Sequence, residues 1–178
     1  MDLQSSYQKA IAYAGAKHKD QKITGTQNSF LVHLSNVAME TMIAAQHTDN
    51  FDQNFAIQVA LLHDVLEDTA TTFEELQSAF GKKIADGVLA LSKNEALEVD
   101  LQIPESLERI KLQPKEIWTV KLADRTSNLQ PPPAHWDKNK RIAYHKMAGT
   151  ILSELKGGNA YLENRLEQKI IDYKQFIQ

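Results

Sequence analysis

At 178 residues, 42% hydrophobic and 24% charged, the chain has the make-up of an ordinary globular domain, able to bury roughly 70% of its unfolded surface. A net charge of -3 argues against a general nucleic-acid-binding surface, although a small basic pocket for phosphates stays compatible with it. With no cysteine there is no disulfide, thiolate zinc site or cysteine nucleophile; no apolar run approaches the ~20 residues of a membrane span, and the Met1-Asp2-Leu3-Gln4 start has no signal-peptide character, so a cytoplasmic protein is expected.

The apolar spacing predicts a first helix from about Leu3 to Asp20, ending in the basic run Lys17-His18-Lys19-Asp20-Gln21-Lys22. Thr24-Gly25-Thr26-Gln27-Asn28-Ser29 has no apolar residue and reads as a loop that hangs lysines beside whatever follows, or leaves them as a solvated helix end. A second helix is predicted from Phe30 to His47, with His33 in its first turns. Asp52 is placed to cap a central helix that runs through Asp68. Thr72 followed by Glu75 reads as a capping box for a short helix stopping at Gly81. Another helix runs from Lys82 to Lys93, and the acidic stretch Asn94 to Ile103 reads as an irregular flap over a site. Pro104 and Pro114 each open a further helix, the second running to Leu129 before Pro131-Pro132-Pro133 stops it. Two long helices, Asp137 to Lys156 and Asn159 to Phe176, close the chain around Gly157-Gly158 and read as packing elements. Nothing alternates with period two. The expectation is one all-α bundle of about eight helices spanning residues 1–178.

The chemistry concentrates in the central helix. From Phe55 to Leu62 nearly every residue is apolar or small, and then His63, Asp64, Glu67 and Asp68 arrive within six positions. At about 100° per residue these four fall on one side of a helix whose earlier turns are apolar all round, so they turn inward. Buried carboxylates without partners cost several kcal/mol, and a cation answers that cost. In the helix after Pro114, Asp124 and Asn128 point the same way at i, i+4, with Lys121 and Arg125 close by; alternatively Asp124 simply pairs with one of those cations. Taken alone, His33 reads as a satisfied core histidine. Taken with His63, Asp64 and Asp124, it completes a set of two nitrogens and two oxygens that suits manganese, iron or zinc and leaves positions open for water and a substrate oxygen. Glu67 and Asp68, one turn beyond, are left over as acid and base, with Glu67 favoured as base because it lies on the His63 side.

The order His33, His63-Asp64, Asp124 resembles the HD-domain metal-dependent phosphohydrolases. More narrowly, Leu61-Leu62-His63-Asp64-Val65-Leu66-Glu67-Asp68-Thr69 and Lys121-Leu122-Ala123-Asp124-Arg125-Thr126-Ser127-Asn128 resemble the hydrolase domain of the RelA/SpoT alarmone enzymes, above all their small stand-alone hydrolases. The resemblance covers roughly residues 7–130. It implies an all-α fold, manganese as cofactor, and removal of the 3′-pyrophosphate of guanosine tetra- or pentaphosphate. Carried over, it makes His33, His63, Asp64 and Asp124 the metal ligands and Glu67 and Asp68 the proton-handling pair; Asn128 becomes a substrate-contacting amide and Lys22 a phosphate-binding residue. The chain departs from the pattern before His33, where Ser29-Phe30 stands in place of Pro-Tyr, and just after Lys22, where Ile23 replaces a basic residue. These departures keep one alternative in play, a related phosphohydrolase acting on a nucleoside monophosphate, an adenosine alarmone or a dinucleotide 2′-phosphate; a third reading, a non-catalytic regulatory domain, is opposed by the full set of four ligands and two acids. The partner expected is a small nucleotide, with neither nucleic acid nor membrane, and a homo-oligomer is compatible with all of this.

Overall fold

The computed structural model describes residues 1–178, and its regular structure is helical apart from one isolated backbone bridge. In chain order the helices are α1 (Leu3–Lys17), α2 (Leu31–Gln46), α3 (Gln53–Leu62), α4 (Val65–Asp68), α5 (Phe73–Phe80), α6 (Lys82–Leu91), α7 (Val99–Lys111), α8 (Lys115–Asn128), α9 (Lys138–Glu154) and α10 (Ala160–Tyr173), followed by a short 3₁₀ turn, Lys174–Phe176. The all-α expectation holds.

Two helices form the middle. Every α3 residue from Phe55 to Leu62 except Gln58 is buried, and α3 packs against α1, α2, α6 and α8. On α8, Thr119 to Ser127 are buried without a break, charged residues included, because α2 and α3 cover one side while α9 and α10 cover the other. Such a helix tolerates buried hydroxyls because they bond back within it: Thr119 Oγ1 donates to the Lys115 carbonyl and Thr126 Oγ1 to that of Leu122, both at 2.8 Å. One cluster of 33 buried apolar residues, from Ala10 to Tyr173, links all these helices. Arg165 of α10 reaches back to α2 with two 2.6 Å hydrogen bonds to the buried Glu40 carboxylate.

The local signals act as the sequence predicts at most helix starts. Asp52, Thr72, Asp137 and Asn159 each accept a backbone N–H of the first turn that follows. Only half of the capping box forms at Thr72, since Glu75 turns away to take Lys17 Nζ at 2.7 Å and Tyr13 Oη at 3.0 Å. Gly87 lets α6 lie close on its neighbours; a β-carbon there would stand 2.7 Å from Ile117 Cδ1.

Two expected elements differ. The central helix is not continuous: α3 ends at Leu62, and α4 begins at Val65 after His63 and Asp64. The expected flap is largely ordered. Residues 94–98 form the connection, whereas Val99 to Ile103 make the first turns of α7, with Pro104 inside the helix rather than at its start. Ile103 is buried there, and anchoring that side chain is what carries the helix upstream of the proline.

Candidate active site

The break after α3 is itself a product of the site. The His63 ring turns back so that Nδ1 lies 2.8 Å from the Ala60 carbonyl, and Asp64 opens a new turn by accepting the Asp68 N–H at 2.8 Å. Donation by Nδ1 to a carbonyl fixes the tautomer and leaves the Nε2 lone pair facing inward. Around that atom three helices deliver their groups. His63 Nε2 is 3.0 Å from Asp64 Oδ2, 3.4 Å from His33 Nε2 and 3.7 Å from Asp124 Oδ1; His33 Nε2 is 3.6 Å from Asp64 Oδ2 and 3.5 Å from Asp124 Oδ1. His33, His63 and Asp124 are at most 7% exposed.

These spacings test the site for a metal. Nitrogen and oxygen donors about 2.0–2.2 Å from one ion stand roughly 3.0–3.6 Å apart at tetrahedral or octahedral angles. The five separations match that range to within a tenth of an ångström. His33, His63 and Asp64 together form a group able to hold a metal ion, and Asp124 Oδ1 faces both imidazoles. The residues fit a divalent cation.

Their electrostatics point the same way. Burial works against charge on His63, yet Asp64 and Asp124 beside it hold its pKa well above the ordinary histidine value. Burial would likewise raise Asp64, but the His63 and His33 imidazoles draw it below the carboxylate range. Asp124 is drawn well below that range, by Lys121 first and then the histidines. Both aspartates are thus held ionised by neighbouring positive charge, a role that a bound cation would take over from the His63 proton. The alternative reading of Asp124 is also realised: Oδ2 pairs with the buried Lys121 at 3.1 Å while Oδ1 stays with the imidazoles.

The remaining expected residues lie around this centre in different ways. Glu67, one turn on, accepts both the backbone N–H of Lys93, at 2.9 Å, and its ammonium. Burial opposes charge on Lys93, but its bond to Glu67 and the fields of Glu67, Asp64 and Asp68 keep its pKa raised. Asp68 is at the rim; burial, with Asp64 and Glu67 nearby, raises its pKa, against the Gln21 amide that donates to it at 2.8 Å. Asn128 gives its amide to Asp124 Oδ1, so it braces a ligand as well as facing the adjoining cavity. Lys22 is exposed on the turn after α1, where its backbone bridges to Ser29, and no contact joins its side chain to the cluster.

Beside His33 opens a cavity of about 620 Å³. Its lining includes Ile23, Phe30, Asn36, Asn128, Trp136 and Tyr144, with no lysine or arginine among the rest. Pro131 to Pro133 form one edge, and Gly25, at φ 79°, closes onto it; a β-carbon there would come 2.7 Å from Pro133 Cβ. The C-terminal elements expected to serve packing alone are thus part of the wall. Trp136 Nε1 and Tyr173 Oη are buried on this side and meet no protein partner, and burial pushes the Tyr144 phenol up to about 12. Sequence reasoning missed these residues, along with Gln21, Lys93 and Ser127, whose Oγ lies 3.5 Å from His33 Nδ1. The aromatic spacing in 136–144 gave no signal, because aromatic residues in long helices usually belong to the core.

The HD domain family model matches residues 10–155, which hold His33, His63, Asp64 and Asp124. The chain belongs to the HD-domain family. It is 30% identical over 175 residues, 92% of each chain, to a Xenopus tropicalis protein named guanosine-3′,5′-bis(diphosphate) 3′-pyrophosphohydrolase MESH1. A Danio rerio protein of the same name is 29% identical over 91% of each chain. Among solved structures, a metazoan ortholog of SpoT described as hydrolysing ppGpp superposes with a TM-score of 0.83 at 26% identity, over 98% of this chain and 97% of that one. This HD-domain chain and the MESH1 proteins therefore share a family, a fold and nearly their whole length.

Proposed function

We propose that this protein is a manganese-dependent hydrolase that removes the 3′-pyrophosphate of guanosine tetra- or pentaphosphate, leaving GDP or GTP. One observation carries the reading: a two-histidine, two-aspartate cluster of metal spacing stands in a chain that matches a named 3′-pyrophosphohydrolase over 92% of each chain. We take residues 1–178 as a single catalytic domain acting in the cytoplasm on a small nucleotide.

His33, His63, Asp64 and Asp124 would hold the cation. When bound, it lowers the pKa of a water and offsets negative charge on the phosphate under attack. Manganese suits the mixed imidazole and carboxylate donors better than magnesium does, which prefers oxygen alone. Glu67 takes the proton of the attacking water, a role worth about 10²–10⁴-fold in rate, or roughly 3–5 kcal/mol. The water oxygen bonds to the phosphorus next to the ribose, the bond from that phosphorus to O3′ breaks, and Asp68 returns a proton to O3′. Its raised pKa suits Asp68 to that second task. Lys22 and Lys93, on opposite sides of the carboxylate pair in sequence, offer positive charge to the phosphates. Asn128 contacts the substrate from the ligand shell.

The cavity lined by Trp136, Tyr144 and the amides of Asn36 and Asn128 suits the uncharged base and ribose, offering aromatic faces and amide groups to them. Phe30 and Ile23 on this wall favour a second reading, a different base or a different phosphate position on the same chemistry. Incubating manganese-loaded protein with a nucleotide panel separates them: the proposal expects guanosine tetraphosphate to give GDP and intact pyrophosphate. Orthophosphate as the sole product, or cleavage of another nucleotide while this one is ignored, would retain the family and overturn the substrate.

A further inference from the structure

Between the end of α1 and the catalytic turn runs a chain of side chains that the reaction as described does not use. His18, at the C-terminal cap of α1, is 2% exposed, and its Nδ1 lies 2.6 Å from Gln21 Oε1. The Gln21 amide, in turn, is 2.8 Å from Asp68 Oδ2. The His18 ring packs 5.0 Å from Phe30, and Phe30 packs 5.1 Å from His33, so the same rings join this chain to a metal ligand.

A glutamine side chain has a donor end and an acceptor end, and a half-exposed carboxylate would ordinarily meet either by rotation of the amide. The Asp68 oxygen that faces Gln21, Oδ2, accepts, with the proton for the leaving oxygen carried on Oδ1, so it needs the NH₂ end. The opposite end of the amide is then an acceptor that requires a donor, and His18 Nδ1–H is the group in reach. With its proton on Nε2 instead, His18 would present a lone pair to Gln21 and favour the flipped amide, which turns an oxygen toward Asp68. The buried ring thus decides which face of Gln21 the carboxylate sees.

We infer that His18 and Gln21 are positioning residues for Asp68, holding its carboxylate in one orientation through a tautomer-defined amide. The inference rests on the reading of Asp68 as the proton donor to the leaving oxygen. A carboxylate released from this bond rotates freely, and misplacement by about an ångström is worth on the order of ten- to a hundredfold in turnover. Substrate affinity and metal content do not depend on the bond.

The test uses the full manganese-loaded chain and guanosine tetraphosphate. Gln21→Leu and His18→Leu should each lower kcat about tenfold or more, with KM and manganese content unchanged. His18→Asn, whose amide N–H takes the place of Nδ1–H, should restore kcat to within about twofold of wild type. Combined with Asp68→Asn, the Gln21→Leu change should cost nothing further, because the group it orients is gone. Independently of turnover, nitrogen NMR at mildly alkaline pH should find the His18 proton on Nδ1. A proton on Nε2, or full kcat in Gln21→Leu while Asp68→Asn is impaired, would overturn the positioning role and leave the mechanism standing. Full kcat in Asp68→Asn would overturn both.

Discussion

The two halves of the site are built differently. The metal end is made by α2, the turn that closes α3, and α8, which hold His33, His63 and Asp124 buried and Asp64 half-buried among packed helices. The cavity end is made by the turn at residues 21–30, the proline run and the first turns of α9, closed by contacts such as Gly25 against Pro133. The difference teaches where chemistry and selectivity reside. A set of ligands must be placed to a few tenths of an ångström, which only the helix core achieves, whereas a nucleotide pocket is shaped by elements that change without disturbing that core.

The largest expected effect strikes the metal end. Asp64→Asn should lose bound manganese and activity together, by more than about 10³-fold, because it removes a ligand whose charge balances the cation; metal analysis and kinetics on one sample check this. Glu67→Gln should keep near-normal manganese yet lower kcat by about 10²–10⁴-fold, since it removes a proton acceptor and spares the ligands. A variant with both metal and full turnover would end the assignment of the base.

The cavity end should respond in KM. Trp136→Ala opens the wall and removes an aromatic face, and we expect KM to rise about tenfold with kcat within about threefold of wild type. A fall in kcat with KM unchanged would place Trp136 in the chemistry and erase the contrast between the halves. Gly25→Ala forces a side chain into a left-handed backbone and against Pro133, and should cost about 1–3 kcal/mol in a denaturation experiment. The smallest effect is that of Thr72→Ala, which removes a cap from α5, a helix that carries none of the site residues, and should cost about 1 kcal/mol with kinetics unchanged.

The same contrast decides what could be read from the sequence. The all-α fold, the caps and the clustering of His33, His63, Asp64 and Asp124 were legible because helix periodicity maps sequence spacing onto direction: the run before His63 is apolar all round, and Asp124 and Asn128 stand one turn apart on one side of α8. The break at His63 was not legible, since it depends on a ring folding back onto Ala60. Nor was the start of α7 at Val99, where burial of Ile103 overrides the proline signal. The cavity wall escaped because Trp136, Tyr144 and Tyr173 come together only through the packing of α9 and α10 on α8, which no local pattern announces. Lys22 matched a family position, but its side chain reaches no group of the cluster in the folded chain. Gln21 and Lys93, unremarked in sequence, hold Asp68 and Glu67.

The central claim is that one cation held by His33, His63, Asp64 and Asp124 is what makes this fold a hydrolase. Titrating manganese into metal-free protein, with bound ion and pyrophosphate release from guanosine tetraphosphate followed in the same sample, tests it directly. The account predicts that binding and turnover rise together and saturate at about one ion per chain. Full pyrophosphate release in excess chelator would contradict it.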